Sequence, residues 1–205
     1  MSNMIADMES HFRGLVPKGD DLLGELEQEA LRENIPIVGP VVGELLFILA
    51  RITGARRILE LGTATGYSAI HLALGCQPQG GKVITLELDE VNARRARENF
   101  KRAGLEANIE VRVGEALSLL PTLSEPFDLI FLDINKEAYL AALPECQRLL
   151  ELDGVLVADN TGFQDAAAFN QAISQLNQWR AVNLLCFLPR HSPEHDGLCL
   201  AVRMQ

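Results

Sequence analysis

Five short apolar runs recur along the chain with little polar alternation: Arg57–Leu61, Lys82–Leu88, Ile109–Val113, Asp128–Asp133 and Gly154–Asp159. A strand with one wet face alternates apolar and polar residues. A run that is apolar throughout is covered on both faces, as in a parallel sheet. Helical patterns separate the runs, at Ser68–Leu74, Glu90–Ala103, Lys136–Leu150 and Phe163–Leu176. Gly104 is expected to cap the second of these, and Gly154 to close the third before the next strand. Two further apolar runs, Asn183–Leu188 and Leu198–Val202, follow without an intervening helix, with Pro189, Ser192, Pro193 and Gly197 between them. They predict an antiparallel β-hairpin at the C-terminal end. The fold class expected is therefore α/β, a doubly wound and mostly parallel seven-stranded sheet.

Residues 1–55 read differently, with no convincing strand. Asp20–Asn34 sets Leu22, Leu23, Leu26 and Leu31 among acids, and Pro40–Arg51 carries Val41, Leu45, Leu46 and Leu49. This part is expected to be an N-terminal helical extension of a single domain, 1–205, whose catalytic core is 56–205. A chain of 205 residues buries about 70% of its unfolded surface, so it needs neither disulfides nor metals to fold. Cys76, Cys146, Cys186 and Cys199 lie far apart without Cys-x-x-Cys spacing, and read as buried free thiols of a reducing compartment. Met1–His11 contains Asp7 and Glu9 and does not read as a signal peptide. Pro36–Ala50 is broken by Glu44 and is too short to span a bilayer. A cytoplasmic location with no membrane partner is expected.

The most informative segment is Ile58-Leu59-Glu60-Leu61-Gly62-Thr63-Ala64-Thr65-Gly66-Tyr67-Ser68, a strand, a tight turn and a helix start. Gly62 and Gly66 allow close backbone approach to a ligand across Thr63, and the helix beginning near Tyr67 offers unpaired N–H groups. A dinucleotide site wants Gly-x-Gly-x-x-Gly. Here the spacing is Gly-x-x-x-Gly, and Glu60 would repel a phosphate at the strand end. A Walker loop also fails, because no Lys-Ser/Thr pair follows. An acid beside the turn suits a ligand with a positive amino group and a cationic sulfur. Glu87 ends the second strand, where a carboxylate accepts both ribose hydroxyls, and Gly114-Glu115-Ala116 follows the third, where an adenine would lie. The set is complementary to S-adenosylmethionine. Taken singly, Glu60 and Glu87 read as capping or solvated acids; the combination with the turn favours the ligand.

Residues 35–160, and more loosely the whole chain, resemble the class I, cation-dependent O-methyltransferases, which include catechol and caffeoyl-coenzyme A methyltransferases and small bacterial members. The resemblance rests on Leu59–Ser68, Val83–Glu87, Ala103-Gly104-Leu105, Gly114-Glu115-Ala116, Phe131–Lys136 and Asp159-Asn160. It implies a Rossmann-like fold, and Glu60, Gly62, Ser68 and Asp133 at the methionine end of the cofactor, helped by Val38. It also implies a homodimer formed through the N-terminal helices.

Asp133, Lys136 and Tyr139 begin at the end of the fourth strand and Asp159-Asn160 at the end of the fifth, the edge where open parallel sheets bind ligands. Asp133, Asp159 and Asn160 make an all-oxygen ligand set apt for Mg²⁺, with Ca²⁺ or Mn²⁺ as alternatives. Coordination to a dication lowers the pKa of a hydroxyl and orients it. Lys136 would take its proton, Asp133 would share in the catalytic site, and Tyr139 is expected to pack rather than react. The expected reaction is methyl transfer to a small hydroxylated aromatic, ortho-diol-like acceptor.

In this family a longer segment with a Trp usually follows the Asp-Asn pair. Here Thr161-Gly162-Phe163 leads quickly into a helix, and the only Trp is Trp179. The usual Pro-x-x-Asp-Gly stands as Pro193–Gly197, preceded by Arg190 and His191; His191 and His195 are candidates for a substrate contact or extra base, although loop histidines are more often merely exposed. One alternative acceptor is a modified tRNA base, for which Arg94, Arg95, Arg97, Lys101 and Arg102 would form the basic face. With 28 acidic against 18 basic residues, the net charge of −10 disfavours nucleic acid. A non-catalytic cofactor-binding module and a nicotinamide-binding protein are the remaining alternatives.

Overall fold

The structure, a computed structural model, describes residues 4–17, 21–187 and 195–205. Three helices come first: α1 (Met8–Arg13), α2 (Asp21–Glu33) and α3 (Gly39–Ile52). Then strands and helices alternate: β1 (Arg57–Leu61), α4 (Tyr67–Cys76), β2 (Lys82–Glu87), α5 (Glu90–Arg102), β3 (Ile109–Val113), α6 (Ala116–Leu119), β4 (Phe127–Leu132), α7 (Tyr139–Leu149), β5 (Leu150–Ala158) and α8 (Ala167–Gln175). The chain ends in β6 (Trp179–Phe187) and β7 (His195–Arg203). The sheet has seven strands in the order β3-β2-β1-β4-β5-β7-β6. Pairings from β3 to β5 are parallel, and β7 is antiparallel to both β5 and β6. This is the expected mostly parallel sheet with its C-terminal hairpin.

Apolar residues of both parities along β1, β2, β4, β5 and β7 are buried, and this creates two cores. Ile58, Val83, Leu129, Phe131 and Val157 pack on one face beneath α2, α3, α4 and α5. Leu59, Leu61, Leu86, Ile130, Leu132 and Leu156 pack on the other beneath α7 and α8. Truncating one of these fully buried leucines to alanine costs about 2–5 kcal/mol. Helix α5 shows how sequence specifies packing locally. Asp89 caps it by accepting the N–H of Asn92 at 2.8 Å, Ala93, Ala96 and Phe100 recur on its buried face, and Gly104 turns the chain out at φ +68°.

Three expectations change. Helix α1 was not anticipated; it is short and polar, and Asp7 caps it through Ser10 N–H at 3.0 Å. Gly154 does not close a helix, because α7 stops at Leu149 and β5 starts at once, pairing Leu150 with Phe127. The irregularity at Asp153 (φ +62°) and Gly154 lies inside the strand. There a Cβ on Gly154 would stand 2.8 Å from the Glu151 carbonyl. All four cysteines are free, and Cys186 is only partly buried. No helix among the described residues is long and apolar enough to cross a membrane.

Candidate active site

Where the strand order reverses, between β1 and β4, the chain leaves the sheet on both sides of a crevice. The ladder continues one residue past each strand: Gly62 N–H bonds Leu86 O at 2.8 Å, Gly114 N–H bonds Glu87 O at 2.9 Å, Asp133 N–H bonds Leu61 O at 2.9 Å and Asp159 N–H bonds Leu132 O at 3.1 Å. These four residues are thereby fixed along one rim, at the mouth of a cavity of about 390 Å³.

The glycine turn is shaped by what lies under it. Gly62 has φ +90°, and a Cβ there would fall 2.1 Å from the Asp133 carbonyl oxygen. Gly66 has φ +93°, and a Cβ would press on the Phe100 ring at 2.4 Å. Only glycine meets both demands. Asn99 of α5 donates to Thr65 O at 2.9 Å, so α5 supports the turn from below. Glu87 holds it from the side: its carboxylate accepts N–H from Ala64 at 2.8 Å, Thr63 at 3.2 Å and Asp89 at 2.9 Å.

Val38, Gly62, Thr63, Ser68, Glu87, Gly114, Glu115, Ala116, Asp133, Lys136, Asp159 and Asn160 all line this cavity. Glu60 and Gly66 do not; they lie in its supporting layer. Glu60 is fully buried and accepts the Thr85 hydroxyl at 2.5 Å. Burial pushes its carboxyl up to about 7, against the opposing effect of the Ser68, Thr85 and Thr63 hydroxyls. Glu115 caps α6 through the N–H groups of Leu117 (3.0 Å) and Ser118 (2.7 Å), and hydrogen bonding from Ser118 lowers its pKa.

At the other end of the cavity, Lys136 Nζ donates to Asp133 Oδ1 at 3.0 Å. Asp159 is 2% exposed, and its Oδ1 has no partner among the described residues. Burial, together with the Asp133 carboxylate, holds Asp159 well above the usual carboxylate range. An orphaned, desolvated carboxylate oxygen in the same cavity lining as a second carboxylate is an arrangement that a hard cation would relieve. The oxygen-only donors Asp133, Asp159 and Asn160 fit such an ion.

Sequence reasoning missed two supports. Tyr139 is buried, packs edge-to-face on Phe169, and directs its hydroxyl to Asp159 O at 3.0 Å and Leu132 O at 3.2 Å. Burial and the carboxylates of Asp133, Asp159 and Asp196 push its pKa upward, so it stays a donor. It packs, as expected, but it also ties the ends of β4 and β5 together. The other support is Asp196, 4% exposed, which accepts the Asn160 side-chain amide at 2.8 Å. The acid-glycine pair Asp196-Gly197 was visible in the sequence, but nothing local reveals a partner 36 residues away. His191 and Arg190 lie outside the described residues, as does the side chain of His195.

Part of the basic helix face is paired. Arg95 bonds Glu29 and Glu33, Arg102 bonds Glu25, and Arg97 approaches Glu90 at 3.5 Å. Arg95 and Arg102 thus face acids of α2, whereas Arg97 pairs with Glu90 of its own helix.

Comparison with known proteins gives a consistent result. The O-methyltransferase family model matches residues 17–183. The chain is 33% identical to a catechol O-methyltransferase of Niastella koreensis, over 98% of this chain and 99% of that one. It is 47% identical to a catechol O-methyltransferase of Mycobacterium tuberculosis over a shorter stretch, 58% of this chain and 54% of that one. Among solved structures, an O-methyltransferase from Bacillus cereus in complex with SAH superimposes with a TM-score of 0.86 at 32% identity, covering 96% of each chain.

Proposed function

The chain belongs to the O-methyltransferase family and is an S-adenosylmethionine-dependent O-methyltransferase, and from that premise we propose that it methylates a hydroxyl of a small catechol-like aromatic beside a divalent cation. The observation that carries the reading is the gathering of Gly62, Glu87, Gly114, Asp133, Lys136, Asp159 and Asn160 around one cavity. In this reading Glu87 receives the ribose hydroxyls, and Gly114, Glu115 and Ala116 flank the adenine. Gly62, Thr63, Ser68, Asp133 and Val38 surround the methionine end, and Glu60 and Gly66 support them from below.

Asp133, Asp159 and Asn160 would hold the cation. When bound, Mg²⁺ or a similar ion supplies Lewis-acid polarisation of the acceptor hydroxyl. Lys136, held 3.0 Å from Asp133, stands at the same end of the cavity; once its ammonium has given a proton to solvent, the neutral amine accepts the hydroxyl proton. The acceptor oxygen then forms a bond to the methyl carbon as the carbon–sulfur bond breaks, leaving S-adenosylhomocysteine. Alignment of oxygen, methyl and sulfur contributes much of the acceleration. We read the protein as a cytoplasmic homodimer, the dimer formed through the apolar residues that its N-terminal helices leave exposed, Leu31, Ile48 and Ile52.

The tRNA alternative is weakened by the pairing of Arg95 and Arg102 with Glu25, Glu29 and Glu33. The test is transfer of a labelled methyl group from S-adenosylmethionine to a panel of catechols and to total tRNA, with and without chelator. Chelator-sensitive labelling of catechols is expected; labelling of tRNA alone would overturn the proposal.

A further inference from the structure

Asp196 reaches the site only through another residue. It stands on β7 opposite Cys186 of β6, beyond the point where Ala158 of β5 pairs with Cys199. In the space past that pairing it meets the segment that follows β5. Its Oδ1 accepts N–H from Gly162 at 2.8 Å and from Gly197 at 2.6 Å. Its Oδ2 accepts the Asn160 Nδ2 at 2.8 Å. The two segments also join directly, Thr161 N–H to Gly197 O at 2.8 Å. They approach so closely that a Cβ on Gly162 would stand 2.6 Å from Asp196 Oδ1, and one on Gly197 would stand 2.6 Å from Thr161 Oγ1.

An ionised carboxylate only accepts hydrogen bonds, so the end of the Asn160 amide that faces it must be NH₂. The carbonyl oxygen of Asn160 is then turned the other way. Asn160 lines the cavity and Asp196 does not. Asn160 also holds a left-handed backbone (φ +51°), a conformation that, glycine apart, Asn and Asp adopt more readily than other residues.

We propose that Asp196 is a positioning residue that selects the amide orientation of Asn160, so that an oxygen and not an NH₂ is offered to the cation. This inference rests on the cation reading given above. It accounts for why an acid near the C-terminal end is buried beside, and not in, the cavity lining: reversing the amide would replace a ligand oxygen by a donor and weaken the hold on a cation.

The test is Asp196→Asn. The two glycine N–H groups hold the new carbonyl in the place of Oδ1, so its NH₂ faces Asn160 and forces that amide to turn. Mn²⁺ binding, read from the spectrum of the free ion, should weaken about 10–100-fold, the usual loss on removing an outer-shell partner. The paired downfield side-chain N–H signals of Asn160 in the ¹⁵N spectrum, recorded without any cation, should move. The double variant Asn160→Asp/Asp196→Asn restores a complementary pair with an oxygen towards the cavity, and should recover most of the Mn²⁺ affinity. Mn²⁺ affinity unchanged in D196N, or a double variant no better than D196N, would overturn the role of Asp196. Should the parent bind no Mn²⁺ that Asp159→Asn abolishes, the cation reading itself falls, and the role of Asp196 with it.

Discussion

The Glu87 carboxylate accepts the backbone N–H of Ala64 at 2.8 Å, so the residue proposed to receive the ribose also holds the glycine turn in place. Glu87→Ala removes this bond and those from Thr63 and Asp89. A hydrogen bond to a charged group contributes about 1.5–3 kcal/mol, so S-adenosylmethionine affinity measured by calorimetry should fall by tenfold or more, roughly as 1.4 kcal/mol per decade.

Lys136 should separate chemistry from binding. Lys136→Met removes the proton acceptor and leaves the turn untouched. The expectation is a loss of about 10²–10⁴-fold in turnover with cofactor affinity near that of the parent. Single-turnover kinetics alongside calorimetry checks both.

Gly62→Ala tests the backbone. Its φ of +90° and the 2.1 Å approach of a Cβ to the Asp133 carbonyl predict strain of about 1–3 kcal/mol, and displacement of Asp133. Chemical denaturation should show the first effect, and loss of activity beyond the stability loss the second.

Glu60 makes stability depend on pH. Burial raises its carboxyl to about 7 in the folded chain, from the 4.5 of an unperturbed glutamate. Between these pH values the folded state holds the proton more tightly than the unfolded one, so stability falls as pH rises through that window. The effect is at most about 3 kcal/mol. Glu60→Gln should remove it: the stability of the variant relative to the parent should climb from pH 4.5 to above 7, then level off.

Much of this was legible in the sequence because the burial pattern is local. β1 falls on the apolar run that predicts it, since both faces of the sheet are covered there; β3 also falls where expected, but at the sheet edge, with Ile109 buried and Glu110 exposed. The glycine turn and the strand-end acids were equally readable, because a tight turn and a ligand edge constrain residue type at fixed spacing. What escaped was long-range. Asp196 meets Asn160 through the antiparallel return of β7, and Glu87 bonds the turn 23 residues before it. Neither pairing leaves a periodicity to detect. Gly154 misled because a glycine after a helical pattern resembles a cap, whereas here it relieves a crowded irregularity within β5.

The central claim is that cofactor and cation are held side by side along one sheet edge. It is tested most directly by the NMR signal of S-adenosylmethionine carrying a ¹³C-labelled S-methyl group, bound to the protein and titrated with Mn²⁺. Strong paramagnetic broadening of that signal, lost in Asp159→Asn, is the predicted result. A methyl signal that stays sharp while both ligands are bound would contradict it.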